Sequence, residues 1–174
     1  MNWEIFGVIV EAIGGLAVII SLLYLAKQVR ESRSLAIAES QRAVMNASSE
    51  IWQTFNNSPN SIADFRNGLN RYETLDPDSQ ARFTLLMWPL INHGEMVYEM
   101  HKTGLMGSIS SERIMAGMVS TITTEGGAKW WEIMRVMIGP EYVAALEHMR
   151  DTSELTYKLT DTWNFYNSDS LDLK

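Results

Sequence analysis

From Ile5 to Ala26 the chain reads IFGVIVEAIGGLAVIISLLYLA, apolar on every helical face, with Glu11 as its only charge. As a helix this run extends about 33 Å, enough to cross a hydrocarbon core of about 30 Å. A cleaved export signal would open on basic residues and close on an Ala-x-Ala-like site. Here Glu4 leads and no such site follows, so the expectation is a retained transmembrane helix. A soluble core helix is usually shorter and has a polar face. Lys27, Arg30 and Arg33 follow the span, whereas Glu4 precedes it, which predicts the N-terminus outside and the rest in the cytoplasm. Trp3 and Tyr24 fall near the two ends, at the depth amphipathic rings prefer.

Beyond Ala26 the pattern becomes two-faced. No proline or glycine interrupts the chain as far as Phe55, and Val29, Leu35, Ala36, Ala43, Val44, Ala47, Ile51 and Phe55 recur largely at helical spacing. Asn56-Asn57-Ser58-Pro59-Asn60 is a dense stop signal. The span is therefore expected to run on into one long rod, which needs cover from the rest of the chain or from copies of itself. Shorter helices follow. Ser61 is expected to cap one carrying Ile62, Phe65 and Leu69. Asp76-Pro77 opens another, with Phe83, Leu86, Met87, Leu90, Ile91, Val97 and Met100, kinked at Pro89 and ending before Gly104. Ser110 or Ser111 opens a third, whose expected inner face is Ile114, Met118 and Ile122. Trp130, Trp131, Ile133, Met134 and Met137 build a fourth, stopped by Gly139-Pro140. Tyr142, Val143, Leu146 and Met149 make a fifth.

No stretch alternates with period two, so the fold class is all-α. The expected divisions are a transmembrane helix at 1–26, a long helix leaving the membrane at 27–57, a cytoplasmic helical bundle at 58–150 and a polar tail at 151–174. The tail carries the cluster Trp163-Asn164-Phe165-Tyr166, expected to pack back on the bundle.

Composition narrows the chemistry. Fourteen basic and 21 acidic residues leave a formal charge of −7, which argues against sequence-independent nucleic-acid binding. The absence of cysteine excludes disulfides, thiolate metal sites and cysteine nucleophiles.

Two motifs carry a resemblance. Ser21-Leu22-Leu23-Tyr24-Leu25-Ala26-Lys27-Gln28-Val29-Arg30 resembles a signature of uncharacterised bacterial membrane proteins, in which an apolar helix ends in Leu-Tyr-Leu-Ala-x-Gln-Ile/Val-Arg. Gly126-Gly127-Ala128-Lys129-Trp130-Trp131, followed by Gly139-Pro140-Glu141-Tyr142, is similar to the same family's later Gly-Gly-x-x-Trp-Trp and Pro-Glu-aromatic segments. The resemblance implies a single-pass protein of the bacterial inner membrane with a helical cytoplasmic region. It implies no catalytic residue.

Within the span, Gly7, Glu11, Gly14, Val18 and Ser21 recur about 3.5 residues apart, flanked by Gly15, and draw one small-or-polar stripe. Small residues permit close helix approach in lipid and polar ones bond across the contact, so this stripe is the candidate assembly face. A carboxylate inside a span costs at least about 2.5 kcal/mol at the bilayer centre, which makes Glu11 the candidate for an ion path should the helices form a ring. Lys27, Arg30 and Arg33 are the candidate membrane-surface cations.

His93, Glu95, Glu99 and His101, with Glu147-His148 later, invite a metal reading. Glu95 and Glu99 stand one turn apart, but no Glu-x-x-His pair accompanies them, so no metal site is expected. No Gly-x-Ser-x-Gly elbow and no phosphate loop is present. Neither a catalytic residue nor a cofactor is expected. The leading expectation is a protein that works by assembly, as a homo-oligomeric scaffold or an accessory subunit of a larger membrane complex, with lipid and itself as partners. An oligomeric ion channel using Glu11 is the second, and a membrane-tethered metalloenzyme the third.

Overall fold

The computed structural model describes residues 3–57 and 60–152. Among these residues every regular element is helical. In chain order they are α1 (Trp3–Asn56), α2 (Ser61–Arg71), a 3-10 turn (Tyr72–Thr74), α3 (Pro77–Lys102), α4 (Ser108–Ile122), α5 (Glu125–Met134), a second 3-10 turn (Arg135–Met137) and α6 (Pro140–Thr152). The chain divides into two compact units, Met1–Ser40 and Gln41–Lys174, and α1 contributes to both.

The described residues of the first unit are all helical. Its most apolar 18-residue window has a mean hydropathy of 2.4 and none of it is buried, so by length and composition the helix suffices to cross a membrane. Its apolar side chains point outward on all faces, with Trp3 at 72% and Leu23 at 67% exposure.

The second unit holds the core. Residues 41–56 of α1 supply Val44, Ile51 and Phe55 to it, which gives the end of the rod the cover its sequence demands. A chain of aromatic rings crosses the interior. Phe55 meets Phe65 edge-on at 5.0 Å between centroids, Phe65 lies 5.9 Å from Phe83, and Phe83 meets Trp130 edge-on at 6.5 Å. Phe83, Met87, Ile91 and Val97 line the inner side of α3 and are wholly buried. Val44, Val97 and Met106 form a smaller second cluster.

Helix ends follow local chemistry. The Asp76 side chain accepts from the backbone N–H of Asp78 (3.1 Å) and Ser79 (3.0 Å), and Pro77 takes the first position, where no N–H is required. At the other end of α3, Gly104 has φ of 72° and donates to the His101 carbonyl, while Leu105 donates to that of Met100. This pair of bonds needs a left-handed residue, hence the glycine.

Several expectations need correction. Asn60, not Ser61, is the residue before α2, and it makes no side-chain cap; Ser61 is buried as the first helical residue, while Ile62 is half exposed. Helix α4 begins at Ser108 behind Gly107, so Ser111 lies inside it. The buried face of α4 runs through Ser111, Met115, Met118, Val119 and Ile122, with Ile114 only partly covered. The fourth helix ends at Met134, well before Gly139, and Ile133 and Met137 are exposed rather than core. Helix α3, by contrast, runs through Pro89 to Lys102 and ends before Gly104, as expected. The cluster Trp163-Asn164-Phe165-Tyr166 lies outside the described residues.

Candidate functional site

In the first unit, the stripe proposed from sequence is open. A Cβ added at Gly7, Gly14 or Gly15 would meet nothing within 4 Å. Glu11 and Val18 are exposed, and Glu11 has no hydrogen-bond or ion-pair partner among the described residues. Ser21 is different: its hydroxyl donates to the Ala17 carbonyl at 2.9 Å, so its polarity is met within its own helix. Just beyond the span Gln28 donates to the Tyr24 hydroxyl at 3.2 Å, and Lys27 pairs with Glu31 at 3.7 Å. Arg30 and Arg33 are exposed.

The acidic and histidine residues of the second unit do not converge. No group of three or more metal-binding side chains exists among the described residues. Glu95 Oε1 instead accepts from the Gly139 N–H at 3.1 Å, fixing the turn that starts α6. Glu99 and Glu141 share the Lys102 ammonium at the surface. His101 Nδ1 lies 3.3 Å from the Met106 carbonyl. Glu147 accepts from Arg135 Nη1 at 2.8 Å and from the indole N–H of Trp131 at 3.1 Å. The Arg135 guanidinium first, and the indole after it, hold the Glu147 carboxyl below the usual carboxylate range. Glu95, Glu141 and Glu147 thus tie separate segments together, whereas Glu99 and His101 make contacts within α3 and with the turn after it.

His93 is the exception. It sits on α3, 8% exposed, on the wall of an apolar cavity of about 430 Å³. Ile51, Trp52 and Phe55 of α1, Phe65 of α2, Leu90 of α3 and Met118 of α4 supply much of the rest of the lining. His93 Nε2 lies 3.1 Å from Ser48 Oγ, and that hydroxyl donates to the Val44 carbonyl at 3.0 Å. The Ser48 hydroxyl thus lies within hydrogen-bond reach of both the Val44 carbonyl and the His93 ring. His93 Nδ1 is buried and without a hydrogen-bond partner among the described residues. Burial lowers the His93 pKa from its ordinary 6.5. No carboxylate orients the His93 ring from Nδ1, so the Ser48–His93 pair lacks the third member of a catalytic triad among the described residues. Arg113 of α4 also lines the cavity; it is exposed and makes no ion pair among the described residues.

The second buried polar atom without a partner is the Tyr142 hydroxyl. It occupies the space a Cβ would take at Gly94, and burial, followed by the nearby Glu95 charge, pushes its pKa up. Gly126 and Gly127 have a comparable role. A Cβ on Gly126 would strike the Gly68 carbonyl and come within 2.8 Å of the Tyr72 nitrogen, so the glycine lets α5 lie directly on the backbone of α2. Trp130 and Trp131, which follow, are buried, the first donating to Thr84 Oγ1 at 3.1 Å.

Sequence reasoning weighed His93 only as a metal ligand and passed over Ser48 and Arg113 entirely. The available signal was weak: His93 lies on the apolar side of α3, between Ile91 and Val97, where a polar ring requires a partner. Comparison of the chain with protein-family models, with curated proteins and with solved structures finds no match.

Proposed function

We propose that this protein is a single-span protein of the bacterial inner membrane, N-terminus outside and helical domain cytoplasmic, that acts through association rather than catalysis. The carrying observation is that the apolar window of α1 is buried nowhere. Such a helix, apolar all round, is stable only in lipid or against other helices. Lys27, Arg30 and Arg33 supply the cytoplasmic bias, and the bacterial assignment rests on the resemblance of the Leu-Tyr-Leu-Ala-x-Gln-Val-Arg segment. The open face of Gly7, Gly14 and Gly15 supports helix association within the bilayer, with a second copy or with a subunit of a larger complex.

Because the chain has no cysteine, topology is testable with single introduced thiols. Asn2→Cys should react with a membrane-impermeant maleimide in intact cells. Ala81→Cys, at an exposed position of α3, should react only after permeabilisation. Equal labelling of both before permeabilisation, or recovery of the protein in the soluble fraction, would overturn the proposal.

A further inference from the structure

We infer that the cavity between α1, α2, α3 and α4 of the second unit binds a single-chain carboxylate of the fatty-acid type, its chain among the apolar walls and its head at Arg113. The volume of about 430 Å³ falls within the roughly 300–1,000 Å³ typical of small-molecule sites. Phe55, Phe65 and Met118 are buried in the lining, whereas Trp52, Ile62 and Arg113 line the cavity and are exposed, which marks its mouth. An apolar interior that meets water beside a charged group suits a molecule with an oily body and a charged end.

The sign of that end follows from the charges around the cavity. The chain carries 21 acidic residues against 14 basic ones, yet no carboxylate is among the described residues of the lining. The ionisable groups there are Arg113 and the buried His93, and burial favours the neutral form of the histidine. Arg113 is therefore the fixed charge of the cavity, and it makes no ion pair among the described residues. Its exposed position matters. An arginine lays its stem along apolar surface and keeps its head in water, so an anion at the mouth is met without the cost of burying two charges. The guanidinium fork matches a carboxylate with two parallel hydrogen bonds. One cation also balances one negative charge, whereas a phosphate monoester, at about −1.5 to −2 near neutral pH, would keep part of its charge unmet. A neutral or cationic head leaves the arginine without a partner.

The test uses the full chain in nanodiscs of zwitterionic lipid, with decanoate and decyltrimethylammonium as probes at about pH 8, where the carboxyl is ionised. The probes share a chain length and differ in the sign of the head. Trp52 lines the cavity, and because the chain has six tryptophans its signal is the part of the fluorescence change lost in Trp52→Phe. By that signal decanoate should bind tighter than the cation. Arg113→Met keeps an apolar stem without the charge, and should cut the decanoate preference about fivefold, the upper end for a solvent-screened ion pair. Arg113→Lys should keep most of it. Partition of the probes into the lipid is common to all the proteins and cancels between them. Both substitutions are at an exposed position, so the fold is expected to survive them. Equal affinity for the two heads, a preference that survives Arg113→Met, or no Trp52 response to decanoate would overturn the proposal. Binding of decanoate only after removal of residues 153–174 would also overturn it, making the chain's own tail the occupant.

Discussion

Replacing Gly126 with alanine adds one methyl where α5 rests on α2. The new carbon would collide with the Gly68 carbonyl and approach the Tyr72 nitrogen at 2.8 Å. Both obstacles are backbone, so no rotamer change relieves them, and α5 must move as a body away from α2. Overpacked core sites cost typically 1–3 kcal/mol. With no side chain free to yield, Gly126→Ala belongs at the upper end, about 2–3 kcal/mol. For a helical unit of this size that lowers the melting temperature by about 10 °C. Near-ultraviolet circular dichroism is the appropriate assay, since Trp130 and Trp131 are buried beside the clash and report core packing, whereas the far-ultraviolet signal includes the 54 residues of α1. Gly117→Ala supplies the contrast. It lies within α4 with nothing within 4 Å of a Cβ, so relief of glycine's helix penalty should stabilise by about 1 kcal/mol. Equal melting temperatures for the two variants, or a more stable Gly126→Ala, would refute the packing of α5 on α2 described above.

Two further predictions concern buried polar atoms. Tyr142→Phe removes a hydroxyl that is buried without a partner, so it should raise stability by about 1 kcal/mol; a loss of that size in chemical denaturation would mean the hydroxyl is bonded. His93 gives a pH dependence. Its pKa is lowered in the folded protein by burial, so the unfolded chain takes up the proton first. The stabilisation is therefore complete above about 6.5 and is lost as pH falls through the folded value. Urea midpoints should fall on acidification below 6.5, before the carboxylates titrate, and His93→Gln should flatten that slope. An unchanged slope in the variant would assign the dependence elsewhere.

Much of the fold is legible in the sequence because single residues dictate it. Asp76-Pro77 and Gly104 mark the two ends of α3, since capping and left-handed backbone admit few residue types. The apolar run from Ile5 to Ala26 dictates a helix with no polar face. Where two equivalent signals compete, the sequence is ambiguous. Ser110 and Ser111 both read as starts for α4, yet the helix begins at Ser108 behind Gly107, and Ser111 is buried within it. Met137 and Ile133 follow the tryptophans at plausible spacing, yet α5 gives way to a 3-10 turn and both side chains face outward. The cavity was hidden for a different reason. Ser48 and His93 are 45 positions apart, and no periodicity connects residues brought together only by tertiary packing. Gly126 is hidden likewise, since its missing side chain matters because of Gly68, a residue on another helix.

Native mass spectrometry of the protein extracted gently from its own membrane tests the central claim, association through the span, most directly. The expected result is a mass greater than one chain, either a whole-number multiple of 19.8 kDa or a complex with other subunits, that falls to the single chain in Gly14→Leu. A single chain from the unaltered protein at every concentration, or an assembly indifferent to Gly14→Leu, would contradict it.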